Sequence, residues 1–400
     1  MKTLVIHFAR FGPYHHARLK SAVLAMEPLG WEVIGLETAP NDATYAWEEI
    51  GGGDSGPRII TAFPGRVYEE ITGTECKRVL HPLLDAMHPD AMAIAGWAGV
   101  DALSCLSWCR GNDVRRIVMS ETREADGKRV WWKERIKRYL ISRFDGALVG
   151  GKSHRDYLIK LRLPPDDICS GYNVIDNSDF ATESQKYRNT DAPGVKPYFL
   201  ASNRFIERKN LSRLIEAYGL YFNEISDGHS LPHSCWSLVL LGDGELKDSL
   251  LGQCRDLGLN VVESAPWEIL DSCSPYLGTV FFPGFRQIDE LPKFYAHAGC
   301  FVHPASEEPW GLVLNEAMAC GLPILSGSNV GAAEELVDDG LNGWTFDAMD
   351  SATLADLLIQ VSAPDFPLAD FADASRRILE ERCPTDAFGD GLAELLRTLR

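Results

Sequence analysis

Short apolar runs alternate with amphipathic stretches through most of this chain, and the rhythm restarts after residue 195. In the first half the apolar runs fall at 3–8, 32–36, 58–61, 91–95, 116–120 and 146–149, with helical patterns at 14–26, 100–109 and 130–144 between them. In the second half they fall at 197–201, 237–241, 279–282, 300–303 and 323–325. Strands separated by helices pair in parallel, so each half predicts a parallel sheet with helices on its faces. The expectation is an α/β chain of two Rossmann-like, doubly wound domains facing an interdomain cleft, where the carboxyl ends of the strands hold ligand. The polar segment 177–195 reads as the linker. The domains are then 1–192 and 193–376, and a helical stretch at 377–400 crosses back to brace the first. The halves share an architecture but no visible sequence repeat.

Composition excludes several classes of function. The 400 residues are 45% hydrophobic and 24% charged, as in ordinary globular proteins. No apolar run reaches the ~18 residues of a membrane span, and the first one is too short for a signal peptide. The ten cysteines show no Cys-x-x-Cys pair or zinc-like spacing, and Cys105 and Cys109 read as helix core. Reduced thiols and a cytoplasmic location follow, with weak peripheral contact at the inner membrane face as an addition. The glycine-rich stretch at 38–57 reads as a surface loop and lacks the Gly-Lys-Ser/Thr ending of a P-loop. Residues 1–200 hold 26 Lys and Arg against 26 Asp and Glu; the totals of 39 and 57 leave 13 against 31 in residues 201–400. The net charge of −18 therefore belongs to the second half, which argues against a nucleic-acid partner.

The sharpest chemical signal lies in that acidic half. Glu308 and Glu316 flank Pro309-Trp310-Gly311-Leu312-Val313-Leu314-Asn315, directly after an apolar run. A helix beginning near Gly311 puts Glu308 at its mouth and Glu316 about two turns in. Unpaired N–H groups and the positive dipole end at that mouth suit a phosphate, and flanking carboxylates suit hydroxyls. A sugar nucleotide carries that sequence of groups. Residues 301–350 contain nine acids and no Lys or Arg, so the positive charge must come from elsewhere. Arg204 and Lys209, just beyond the strand expected at 197–201, are the candidate source.

Taken in order, these segments resemble retaining GT-B glycosyltransferases of glycosyltransferase family four (group 1). The resemblance runs over about residues 197–347. It comprises Arg204 with Lys209, Leu241-Gly242-Asp243-Gly244, Phe282-Pro283-Gly284-Phe285-Arg286, Glu290-Leu291-Pro292-Lys293-Phe294-Tyr295, the Glu308…Glu316 segment, Gly331-Ala332-Ala333-Glu334-Glu335 and Asn342-Gly343. The resemblance implies that Arg204 and Lys209 hold the diphosphate, assisted by N–H groups at Gly311 and Leu312. Glu308 then meets the donor sugar or supports charge near its anomeric carbon, Glu316 binds the ribose, and Phe285 with Arg286 meets the base. It also implies no metal and no cofactor beyond the nucleotide-sugar donor. Two departures stand out. Ala305 replaces a common serine, and Trp310 replaces a common phenylalanine, either narrowing the sugar pocket or substituting conservatively. Glu307 reads as solvated and His303 as packing.

The first half then reads the acceptor, a glycan, a lipid-linked glycan or a small molecule. Gly12, after the first strand, would let backbone approach a ligand. His15, His16 and Arg18 stand near the first helix start, as acceptor contacts or simply as helix-start residues. Trp97 either stacks on a sugar or caps the sheet, and Glu121 ends another strand as a candidate contact or base. The basic and aromatic stretch 128–143 either lies on anionic lipid or presents a solvated cationic face. The resulting expectation is a retaining transferase using UDP-sugar, or GDP-sugar, with an acceptor hydroxyl. The rivals are an epimerase or phosphorylase of the same fold, and a non-catalytic sugar-nucleotide-binding subunit.

Overall fold

The computed structural model describes residues 1–42, 56–190, 196–226, 235–268 and 277–398. The first parallel sheet contains β1 (Lys2–Phe8), β2 (Trp31–Glu37), β3 (Ile59–Thr61), β4 (Ala91–Ala95), β5 (Arg115–Ser120), β6 (Gly146–Val149) and β7 (Ile168–Ser170). Their spatial order is β3-β2-β1-β4-β5-β6-β7. The second contains β8 (Tyr198–Ser202), β9 (Ser237–Leu241), β10 (Asn260–Val262), β11 (Thr279–Gly284), β12 (Cys300–His303), β13 (Ile324–Gly327) and β14 (Gly343–Phe346), in the order β10-β11-β9-β8-β12-β13-β14. Every pairing in both sheets is parallel. The central strands explain the near-continuous apolar runs. Leu4, Val5 and Ile6 of β1, and Phe199 and Leu200 of β8, are fully buried because helices cover both faces.

The chain divides into two compact units, Met1–Asp176 with Cys383–Arg400, and Asn177–Arg382. The segment 177–195 corrects the linker expectation: Asn177–Thr190 is a helix packed on helices Leu291–His297 and Leu312–Ala319. Its polarity misled because only Asn177, Phe180 and Ser184 of this helix are buried. β7, β10 and β14 were not expected from the sequence. β7 and β10 are three-residue strands, and β7, β10 and β14 all lie on or beside a sheet edge, where one side needs little apolar surface. Most of the glycine-rich loop read at 38–57 lies outside the described residues.

The last helix, Ala387–Thr398, packs along helix Pro13–Met26 within the first unit. Gly389 makes this approach possible, since a Cβ there would lie 2.3 Å from the Ser21 carbonyl oxygen. The Gly389 N–H donates to Ser21 Oγ at 3.0 Å and Ser21 Oγ donates to the Asp386 carbonyl at 3.2 Å. Among the described residues, no helix is long and apolar enough to cross a membrane. The nine described cysteines are free, and Cys105 and Cys109 are buried.

Candidate functional site

Strand order decides where the site lies. β8 sits between β9 and β12, so the chain leaves β8 to one side and returns much later on the other. Loops beyond the carboxyl ends of two such strands diverge, and ligands bind in the gap. The loop after β8 is stitched to those after β12 and β14, and the β12 loop is stitched in turn to the one after β13. Ser306 N–H donates to the Arg208 carbonyl at 3.0 Å, and Asn210 Nδ2 donates to the carbonyls of Pro304 at 3.0 Å and Ala348 at 2.7 Å. Glu308 N–H donates to the Asn329 carbonyl at 3.1 Å, and Asn329 Nδ2 donates to Ser306 at 3.1 Å.

Within this frame two consecutive cations converge on one carboxylate. Lys209 Nζ donates to Glu308 Oε2, and Arg208 Nη1 lies 3.1 Å from the same oxygen. A tight turn at Glu207–Lys209, followed by Asn210 at φ +57°, sends both side chains the same way. Burial alone would raise the Glu308 carboxyl, but the Lys209 charge foremost, with that of Arg208, holds it below the usual range. For Lys209 burial wins: its ammonium is pushed down despite the attraction of Glu308, and the charges of Arg208 and Arg204 act the same way. Arg204 therefore lies within electrostatic reach of this pair. Two cations on one carboxylate, with the Arg204 charge close enough to Lys209 to disfavour its ammonium, concentrate positive charge that suits an anion.

Gly311 opens helix Leu312–Ala319 at φ +102°, a left-handed conformation suited to glycine. A Cβ there would meet Val330 Cγ1 at 3.3 Å, Glu308 Cγ at 3.4 Å and His303 Nε2 at 3.6 Å. Gly311, Leu312 and Val313 are partly exposed while the rest of the helix is buried, so the first turn, whose N–H groups have no partner within the helix, is reachable beside Glu308. His303, at the end of β12, is fully buried, and neither ring nitrogen has a hydrogen-bond partner among the described residues. Burial, with the nearby Lys209 charge, pushes its imidazole down to about 3. The ring is neutral near pH 7 and lies parallel to Phe301 at 6.4 Å.

The other expected donor residues are placed differently. Glu316 does not join the cluster: it is fully buried and its Oε2 accepts a 2.7 Å hydrogen bond from Tyr295 Oη. Trp310 is buried and its Nε1 donates to Asn315 Oδ1 at 3.0 Å, so the indole braces its own loop and does not line an open pocket. Phe285 is exposed, and Arg286 bonds the Pro283 carbonyl and Glu290, both at 3.2 Å. Arg208 went unrecognised in the sequence; the adjacent Arg-Lys pair was its only signal. Among the described residues, no group of three or more His, Cys, Asp or Glu is arranged to hold a metal ion.

In the first unit, His15 is spent locally: its Nδ1 accepts the Gly12 N–H at 3.0 Å and its ring packs 4.2 Å from Phe8. Burial, then Arg18, His16 and Arg10, push that imidazole well down. Gly12 itself has φ −82°, which any residue adopts. His16 is also lowered by burial and contacts Phe11 at 5.9 Å. Arg18 is buried against Tyr172. Trp97 is buried in the core, while Glu121 is exposed at the end of β5. The sequence reading missed a buried network at the β1 end. His7 Nε2 lies 3.0 Å from Thr38 Oγ1, which donates to Asp101 Oδ2 at 3.1 Å; Tyr68 Oη donates to Asp101 Oδ1 at 2.9 Å. Burial opposes ionisation of Asp101, but His7, whose Nε2 lies 3.4 Å from Oδ2, then the Ala102 N–H and Tyr68, hold its carboxyl well below the usual range. A histidine within the otherwise apolar Val5-Ile6-His7-Phe8 was the available clue.

Residues 276–377 match the family model described as glycosyl transferases group 1. The chain is 29% identical over 210 residues to the lipopolysaccharide core biosynthesis glycosyltransferase LpsE of Rhizobium meliloti, covering 52% of this chain and 51% of that one. It is also 29% identical over 172 residues to sucrose-phosphate synthase 4 of Arabidopsis thaliana, covering 42% of this chain and 15% of that protein. The chain thus spans about half the length of the first relative and far less of the second. Among solved structures, Anabaena HepE in complex with UDP and glucose superposes with a TM-score of 0.70 at 17% identity, with 100% of both chains covered. Sucrose-phosphate synthase from Thermosynechococcus elongatus gives 0.72 at 15% identity, covering 100% of this chain and 99% of that one. By fold this is a GT-B protein of two Rossmann-like domains, and the segment that matches the group 1 model lies in its second unit.

Proposed function

We propose that the chain is a retaining glycosyltransferase that moves a sugar from a nucleotide-diphosphate sugar, UDP-linked in preference to GDP-linked, to an acceptor hydroxyl. The observation that carries this reading is the meeting of Arg208, Lys209 and Glu308 beside the Gly311 helix mouth at the switch point of the second sheet. The resemblance of the segment to group 1 transferases and the UDP held by HepE support it. Departure of the diphosphate builds negative charge, and preorganised cations stabilise that charge more in the transition state than in the ground state. Arg204, Lys209 and the N–H groups of Gly311 and Leu312 supply this stabilisation without a metal. Glu308 holds the cations in place until the donor arrives and then faces its sugar. Glu316 takes the ribose after turning from Tyr295, and Phe285 with Arg286 lies toward the base. The acceptor hydroxyl attacks from the face the diphosphate leaves, and a diphosphate oxygen takes its proton. The first domain reads the acceptor, which is a glycan or lipid-linked glycan.

Thermal melting with UDP, GDP and their sugars tests the donor, because a ligand selective for the native state raises its melting temperature. UDP-sugars are expected to shift it most, and no shift with any nucleotide sinks the reading. Donor consumed without acceptor identifies an epimerase, and donor consumed only with orthophosphate identifies a phosphorylase. Undiminished turnover in EDTA is expected.

A further inference from the structure

Helix Trp131–Ile141 in the first unit is turned inside out over its first two turns. Its inward face there carries Glu134 and Lys137, and only its end, Leu140 and Ile141, packs on the core. Glu134 accepts from Lys137 Nζ at 2.9 Å and from Tyr157 Oη at 3.0 Å, and this polar cluster fastens the helix to the domain. The outward face carries Trp132, Ile136 and Tyr139, spaced four and three apart and therefore in one stripe. They are 48%, 52% and 57% exposed, and Trp131 at the helix start is 74% exposed. A helix on a soluble domain ordinarily presents the opposite arrangement.

The stripe is rimmed by cations. Lys133 Nζ lies 5.5 Å over the Trp132 ring, and the Arg143 guanidinium lies 4.4 Å over Tyr139. Residues 128–143 hold seven Lys and Arg against the single acid Glu134, in a chain whose net charge is −18. Exposed indole and phenol rings among Lys and Arg match a bilayer interface, where rings sit at the headgroup level and cations meet anionic phosphates. A second copy of the chain fits worse, because a two-fold contact would set this basic face against itself.

We propose that Trp131, Trp132, Ile136 and Tyr139, with Lys133, Arg135 and Arg143 around them, form a docking surface for an anionic lipid bilayer. This inference stands apart from the transferase reading, since it concerns binding alone. The test is co-sedimentation of the full chain with phosphatidylglycerol–phosphatidylcholine vesicles and with pure phosphatidylcholine vesicles, at low and high salt. Binding to the anionic vesicles, weakened by salt, is expected. The triple variants Trp132→Ser/Ile136→Ser/Tyr139→Ser and Lys133→Glu/Arg135→Glu/Arg143→Glu should each bind at least ~10-fold more weakly. Circular dichroism of both should match wild type, because the altered side chains are exposed or, for Arg143, half-buried over the exposed Tyr139 ring. Failure of wild type to bind anionic vesicles at low salt overturns the proposal, as does wild-type binding by either variant. Self-association of the wild type that the serine variant abolishes would assign the face to a second copy instead.

Discussion

Lys209 and Glu308 stand 99 residues apart in the chain, yet the ammonium of one is hydrogen bonded to the carboxylate of the other in a nearly dry position. Each is the other's main compensation for burial, so removing one strands its partner. Glu308→Gln should destabilise the protein by about 3–5 kcal/mol near neutral pH. The double variant Lys209→Met/Glu308→Gln should recover much of that loss. Urea denaturation of wild type, Lys209→Met, Glu308→Gln and the double variant measures both effects, and full additivity would show that the pair does not couple.

The same pair shapes the acid limb of stability. The folded Glu308 carboxyl titrates below its ordinary value, so the folded chain binds fewer protons there than the unfolded one. Its contribution is complete above about pH 4.5 and disappears as pH falls through the lowered folded value. Glu308→Gln should therefore flatten the stability profile in that acid window, as read from urea midpoints against pH.

His303 leaves a signature at milder pH. The folded imidazole stays neutral down to about 3, whereas the unfolded one takes a proton below its ordinary value of 6.5. Stability attributable to this ring is intact above that value and falls as pH drops, by at most about 1.4 kcal/mol per unit. His303→Phe should remove this slope. It should also cost little near pH 7, because both ring nitrogens lack partners among the described residues. A slope unchanged in the variant would assign it to other groups.

Catalysis should separate the three cations. Lys209→Ala and Arg204→Ala are each expected to lower kcat by roughly 10²–10³-fold. Arg208→Ala should lose less, since Arg208 also braces the Glu307 carbonyl from a more exposed position. Single-turnover rates with saturating donor check this order. Equal losses at all three would give Arg208 the same role as the others.

Gly331 supports the carboxylate loop from below. Its N–H donates to the Glu308 carbonyl at 3.1 Å, and a Cβ would lie 2.0 Å from the Pro309 carbonyl oxygen. Gly331→Ala should cost about 1–3 kcal/mol through overpacking. It should also raise the KM for donor by displacing Glu308. Unchanged stability and KM would mean that the loop yields without consequence.

The alternation of apolar runs was enough to identify two parallel α/β sheets, because strands buried on both faces must be apolar along their length. The pattern was weakest where that demand relaxes, at β7, β10 and β14. It misled at Asn177–Thr190, where a helix buries too narrow a stripe to look like one. Motif order located Glu308, Lys209 and Gly311, since each needs a particular residue type at a particular place beside a strand or helix end. Which side chains meet was a matter of tertiary structure alone. Strand order put β12 next to β8, a tight turn aimed Arg208 along with Lys209, and burial gave Glu316 to Tyr295. The outward face of Trp131–Ile141 belongs to the same class. Periodicity reveals that a helix has two unlike faces, but only packing decides which of them is turned to the core.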